Sequence, residues 1–289
     1  MSLSSSSNYN SLFNITASNN TWYGILLDSS SSNSLSNITV TNSSQYGISL
    51  SSSSNSTLSQ NNMSNNRFNL HINGNEETQN IDTSNLVDGK PVYWLKNVQN
   101  QVFVSSTNAG LFACFNCNNI TVRDLTFEKN SYGVLFKGTN NSFIFNITAS
   151  NNTYGILLDS SSSNSLSNIT ASNNSRGIHL FSSSNNSLSN ITASNNSRGI
   201  HLFSSSNNSL SNITASNNSR GIYLYSSSNN TIYNSFFNNT NNVYFDGTIY
   251  ENFWNTTLNC SAGPNIIGGP CIGGNFYATP SGNGFSETC

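Results

Sequence analysis

The sequence predicts an all-β solenoid, a stack of parallel coils about 22 residues long with a Gly- and Cys-rich cap at the C-terminal end. Three observations predict it. The segment SNITASNNSRGIHLFSSSNNSL occurs twice in succession, and a third copy carries Tyr in place of His and Phe; Gly177, Gly199 and Gly221 are therefore 22 residues apart, as are Asn168, Asn190 and Asn212. Within a copy, Ile200 and Leu202 flank His201 with the period of two that a strand requires. Between such runs stand Ser, Asn and Gly, the residues of corners, and Leu, Ala, Glu and Lys do not recur at helical spacing. A unit this small buries its apolar residues only against its neighbours.

The coil from Asn186 to Asn207 shows the pattern. Leu188, Ala193, Ile200 and Leu202 are its inward residues, Gly199 opens a strand at a tight corner, and SSSNN closes the turn. Stacking sets each strand about 4.8 Å from its copy, so equivalent residues form columns. Ile178, Ile200 and Ile222, with Leu180, Leu202 and Leu224, make a narrow apolar core. Asn168, Asn190 and Asn212 are expected to form one amide ladder, and Asn173, Asn195 and Asn217 another. In chain order, residues 1–73 read as N-terminal coils, 74–117 as a surface excursion that re-enters at Val102 to Val104, 118–249 as regular coils, and 250–289 as the cap, with about nine to ten coils in all.

Composition narrows the function. Charged residues make up 7% of the chain and the net charge is −2, so no basic face is expected and nucleic acid is excluded as a partner. The fixed apolar slots exclude a disordered tract despite the Ser, Asn and Thr bias. No run approaches the roughly 20 apolar residues of a membrane span. The opening MSLSSSSNYN has neither a basic nor an apolar leader region, so an exported protein whose leader is absent from this chain is expected. Sequons at Asn146, Asn168, Asn190 and Asn212 are candidate glycosylation sites, although a chain so rich in Asn, Ser and Thr also forms sequons by duplication. Cys114, Cys117, Cys260, Cys271 and Cys289 are candidates for disulfides, with one thiol left over. Three of them lie in the cap, where stapling fits an oxidising compartment.

The block NIDTSNLVDGKPVYWLKN, followed by NCNNITVRDLTFEKNSYGVLF and repeated GI-x-L coils, resembles the NosD-like right-handed parallel β-helix proteins, and the tail NIIGGPCIGGNFYATPSGNGFSETC resembles archaeal surface members of that group. The resemblance covers nearly the whole chain. It implies an exported or surface-bound protein with the repeat found in carbohydrate-binding proteins and sugar hydrolases. The group's name derives from a periplasmic protein associated with copper delivery, and most members have no assigned activity.

The possible chemistries follow. Glycoside hydrolysis needs two carboxylates facing one bond; among eleven acids, Asp124 and Glu128 are the best candidate pair, and a solvated charged face explains them as well. No catalytic residue and no cofactor is assigned, and the chain is read as not an enzyme. His71, His179 and His201 share one repeat slot, and His179 and His201 are weak metal candidates as outward neighbours on adjacent coils. Arg176, Arg198 and Arg220 form a column with His179, His201 and Tyr223 beside it, an exposed stripe suited to glycans or a partner. The favoured reading is a non-catalytic cell-surface structural protein that self-associates end to end. The alternative is a glycan- or partner-binding module using that stripe; a copper-binding accessory protein or a polysaccharide-degrading enzyme comes after these.

Overall fold

The computed structural model describes residues 1–288 and is almost entirely β, with about eleven turns of right-handed parallel β-helix. It winds as two stacks. In the first, Tyr23–Asp28, Tyr46–Ser51 and Phe68–Asn73 pair in parallel along one side. Shorter strands such as Ser34–Ser36 and Thr39–Thr41 close the coil on the other sides. The second stack has a sheet of short strands, among them Tyr154–Asp159, Arg176–Phe181, Arg198–Phe203 and Arg220–Tyr225, facing a sheet of longer strands such as Ser187–Ser194. Leu180 lies beside Leu202, and His179 beside His201, in direct register.

The segment 74–117 does not leave the coils. Asn80–Ile81 and Leu86–Val87 continue the first stack, pairing with Thr57–Leu58 and Asn62–Met63. Asp88 and Gly89 then turn the chain back with φ of 47° and 77°, and Val87 pairs antiparallel with Lys90. Lys90–Lys96 opens the second stack, so re-entry precedes Val102. The physical reason lies in the alternation after the turn. Val92 and Trp94 project into the core of the first stack, with Leu111, Ala113 and Phe115 beside them. Phe112, Cys114, Val134 and Phe136 project from the same sheet into the core of the second. Strand direction and core-bearing face are exchanged together, which leaves the hand of winding unchanged. The acids Glu76 and Glu77 lie against this joint, 3.2 and 2.7 Å from Lys137 Nζ, and Tyr132 Oη donates to Glu76 Oε1 at 3.2 Å.

Each long strand bends where a non-glycine residue has positive φ. Leu188, Ile191 and Ala193 are buried, and Asn190 between them has φ 53° and is exposed, so the chain turns a corner without losing its inward column. Asn173, Asn195 and Asn217 occupy the same left-handed conformation at the next corner. The expected amide ladders therefore stand one residue later. Buried Asn174 donates its backbone N–H to Asn196 Oδ1 and its Nδ2 to the Ala149 carbonyl, at 2.8 and 3.0 Å. Asn186 does the same to Asn208 Oδ1 and the Ser161 carbonyl, at 2.8 and 3.1 Å. A third column runs through Ser183, whose N–H bonds Ser205 Oγ at 2.9 Å. Corner amides that the sheets leave free are satisfied by these side chains.

Gly199 is required by close approach. A Cβ there would stand 2.7 Å from the Gly221 carbonyl oxygen and 3.0 Å from Asn218 Nδ2. Both neighbours are held within the stack, so Gly199→Ala is expected to cost about 1–3 kcal/mol, read as a lower thermal midpoint; an unchanged midpoint would show that adjacent coils can part there.

At the C-terminal end, Cys260 and Cys271 are disulfide-bonded and Phe276–Ala278 adds to the long-strand sheet beside Phe236–Asn238. Trp254 and Tyr277 pack on the core, completing the cap.

Candidate functional site

The outer face of the short-strand sheet carries a groove of ≈ 360 Å³ over the coils from Tyr154 to Tyr225. Alternation places His179 outward between buried Ile178 and Leu180, and the register repeats this on each coil. Its floor is a stack of flat rings. Tyr154, His179, His201 and Tyr223 follow one another at centroid distances of 5.6, 4.2 and 4.4 Å, each pair within 9° of parallel. One wall is a second stack, Phe181 on Phe203 on Tyr225, at 4.9 and 4.3 Å. The other is the arginine column. The Arg176 guanidinium lies over Tyr154 at 4.9 Å and donates to its hydroxyl at 2.6 Å. Arg198 and Arg220 lie over Tyr223 at 4.5 and 4.9 Å, and Arg220 also lies over Tyr244 at 4.0 Å.

The stripe expected to be exposed is therefore mostly covered. His179, His201 and Tyr223 retain 6%, 3% and 5% exposure, while Phe181 on the rim retains 39%. Coils spaced at about 4.8 Å bring equivalent rings nearly to van der Waals contact, so their faces are hidden and only edges line the groove. Both ring nitrogens of each histidine, and Arg176 Nε, are buried without a hydrogen-bond partner. Burial, then the arginines, holds His179 down at about 3; burial, then His179 and the arginines, holds His201 at about 2. Tyr223 is pushed up by burial and by its hydroxyl bond to Asp246 at 2.6 Å. The ring stack was legible as an aromatic repeat, but its burial depends on spacing between coils.

The other predicted residues do not join this groove. Asn146, Asn168 and Asn190 are exposed and Asn212 half-buried, all at the long-strand corner. Cys114 is bonded to Cys117 within the core, and Cys289 lies outside the described residues. Asp124 pairs with Arg123 at 2.5 Å, whereas Glu128 accepts from Ser150 Oγ at 2.8 Å, so the two carboxylates are engaged separately. His71 is bonded through Nδ1 to Ser131 Oγ at the joint.

Fold, register and groove together define a parallel β-helix repeat protein. Residues 1–88 and 83–282 match the family described as periplasmic copper-binding protein (NosD), and the chain belongs to that family. No curated protein sequence matches it. Among solved structures, it is similar to a mutant of the periplasmic alginate epimerase AlgG at 15% identity, covering 85% of this chain and 67% of that one with a TM-score of 0.47. It is also similar to the A-module of the mannuronan C-5 epimerase AlgE4 of Azotobacter vinelandii (12% identity, 87% and 78% covered, TM-score 0.32). A third is PfbA, a surface adhesin of Streptococcus pneumoniae (13%, 85% and 72%, TM-score 0.31). At these identities the likeness is one of fold. The expectation that the chain is not an enzyme is corrected on this finding: two of the three are epimerases, so lacking a carboxylate cluster does not exclude activity.

The family description names copper, and the donors here do not fit it. A metal bound by imidazole lies in the ring plane about 2 Å from nitrogen. His179 and His201 are stacked at 4.2 Å with an interplanar angle of 1°, so one ion cannot lie in both planes. Cys114, Cys117, Cys260 and Cys271 are spent in disulfides, and among the described residues no group of three or more His, Cys, Asp or Glu is placed to hold a metal ion.

Proposed function

We propose that this is an exported β-helix protein whose short-strand face recognises glycan chains. The observation that supports this best is the groove itself, in which each coil supplies a rim ring, a floor ring and an arginine at one spacing. A polymer of sugar rings matches such a site because aromatic faces cover sugar faces while guanidinium groups donate to oxygen. The two disulfides fit an oxidising compartment outside the cytoplasm. End-to-end assembly receives less support, since the cap strand Phe276–Ala278 occupies the last long-strand edge.

The test is a glycan array followed by calorimetry on bound members. Phe203→Ser removes the central rim ring; Ser51 stands in the corresponding slot of the first stack, so the coil tolerates it. Binding is expected to weaken about tenfold, on the order of 1.4 kcal/mol for a stacked ring. Unchanged binding would take the groove out of consideration.

A further inference from the structure

A second cavity adjoins the groove. It is a cleft of ≈ 550 Å³ between the last coil of the first stack and the corners of the second, lined by Arg67, Phe68, Lys129, Asn151, Asn173 and Ser175 among others. Ser175 and Ser197 border this cleft and immediately precede Arg176 and Arg198, which line the groove. The two cavities thus meet at one corner of the coil.

Charge is distributed unevenly between these cavities and the rest of the molecule. Of nine Lys and Arg residues, Arg67, Lys129, Arg176 and Arg198 line the two cavities, and none of the eleven acids does. Among the described residues the ion pairs engage Arg123 and Lys137, not these four. In a chain of net charge −2 this is a local concentration of unneutralised cations. The groove floor adds the second observation: His179 and His201, both more than nine-tenths buried, present ring nitrogens without partners, as does Arg176 through Nε. Buried polar atoms of this kind gain most from a ligand that supplies hydroxyl or acid oxygens.

We propose that the cleft and the groove form one path for an anionic polysaccharide, whose acid groups meet Arg67 and Lys129 at the joint and Arg176 and Arg198 along the coils. This rests on the glycan reading and specifies its ligand. Carboxylated and sulfated chains share the chemistry, because both present planar or trigonal oxygens to guanidinium.

The cleft is tested separately from the groove. Arg67→Gln combined with Lys129→Asn installs the residues found at the matching positions of neighbouring coils, Gln45 and Asn151, and Asn suits the φ of 56° at residue 129. Calorimetry with polygalacturonate, heparin, neutral dextran and a DNA duplex is run on both proteins, with circular dichroism confirming that the variant is folded. Expected are binding of polygalacturonate or heparin that weakens as salt rises, and a loss of about tenfold or more in the double variant; the tighter of the two identifies the acid. Unchanged binding by the variant overturns the proposal. Dextran bound as tightly as the acidic chains overturns it while leaving glycan recognition standing, and no binding by any polysaccharide removes both. DNA bound as tightly as the polysaccharides overturns the assignment to a glycan.

Discussion

Between neutral pH and about pH 5 the protein is expected to lose on the order of 4 kcal/mol of stability through two side chains. His179 and His201 are held neutral in the fold, at about 3 and about 2 against an ordinary 6.5, chiefly because the ring stack excludes water and then because Arg176 and Arg198 repel a further positive charge. In the unfolded chain both rings take up a proton below 6.5, so the unfolded state binds more protons than the native one. Stability is complete above 6.5 and is lost as pH falls toward the folded values, at about 1.4 kcal/mol per histidine per pH unit. His71, held at about 4 by burial, adds to the loss. Carboxylates enter lower: Glu77 is held below its ordinary 4.5 by Lys137, so its contribution weakens only beneath that range. Denaturant midpoints at about pH 7 and pH 5, compared with those of a His179→Tyr, His201→Tyr variant, isolate the pair. Tyr223 already occupies the next rung of the stack, so the replacement suits the site, and the variant is expected to show a much flatter dependence. Equal dependence in both proteins would mean that the rings are hydrated in the native state.

Two adjacent asparagines are expected to respond oppositely to replacement. Asn208 is 2% exposed; its Oδ1 accepts from the backbone N–H of Asn186 at 2.8 Å, and its Nδ2 donates to Asn230 Oδ1 and the Ser183 carbonyl at 2.9 and 3.2 Å. Asn208→Ala strands these groups away from water, at about 1–3 kcal/mol each and on the order of 4 kcal/mol together. Asn207 holds φ 57°, and glycine adopts that conformation freely, so Asn207→Gly is expected to change stability by less than about 1 kcal/mol. Thermal or chemical unfolding of the two variants decides it; similar losses would mean that the polar column is not what fixes the corner.

The repeat made the stack and its register readable, because one spacing of 22 residues fixes which side chains are vertical neighbours: Ile178 on Ile200, Leu180 on Leu202. The ladder positions were harder to read, because NN at a corner does not say which amide turns inward; the first residue takes positive φ and the second is buried. The joint between the stacks had a local signal that went unread, an Asp-Gly pair flanked by Leu86–Val87 and Pro91–Val92, which marks a two-residue hairpin. Its consequence for the core did not lie in the local pattern, since only the paired sheet shows Trp94 and Phe115 facing one side and Phe112 the other. The cleft at Arg67 and Lys129 was illegible for a similar reason: residues 62 positions apart in sequence meet only because the first stack ends beside the second.

The two identical consecutive coils, residues 167–188 and 189–210, give the molecule an adjustable length. A gene that lost or copied one such unit would splice like to like, with every side chain meeting the neighbour it already has. The rod and its face would shorten or grow by a single step of about 4.8 Å. Reach can therefore change through slippage between near-identical DNA tracts, without redesign of any contact.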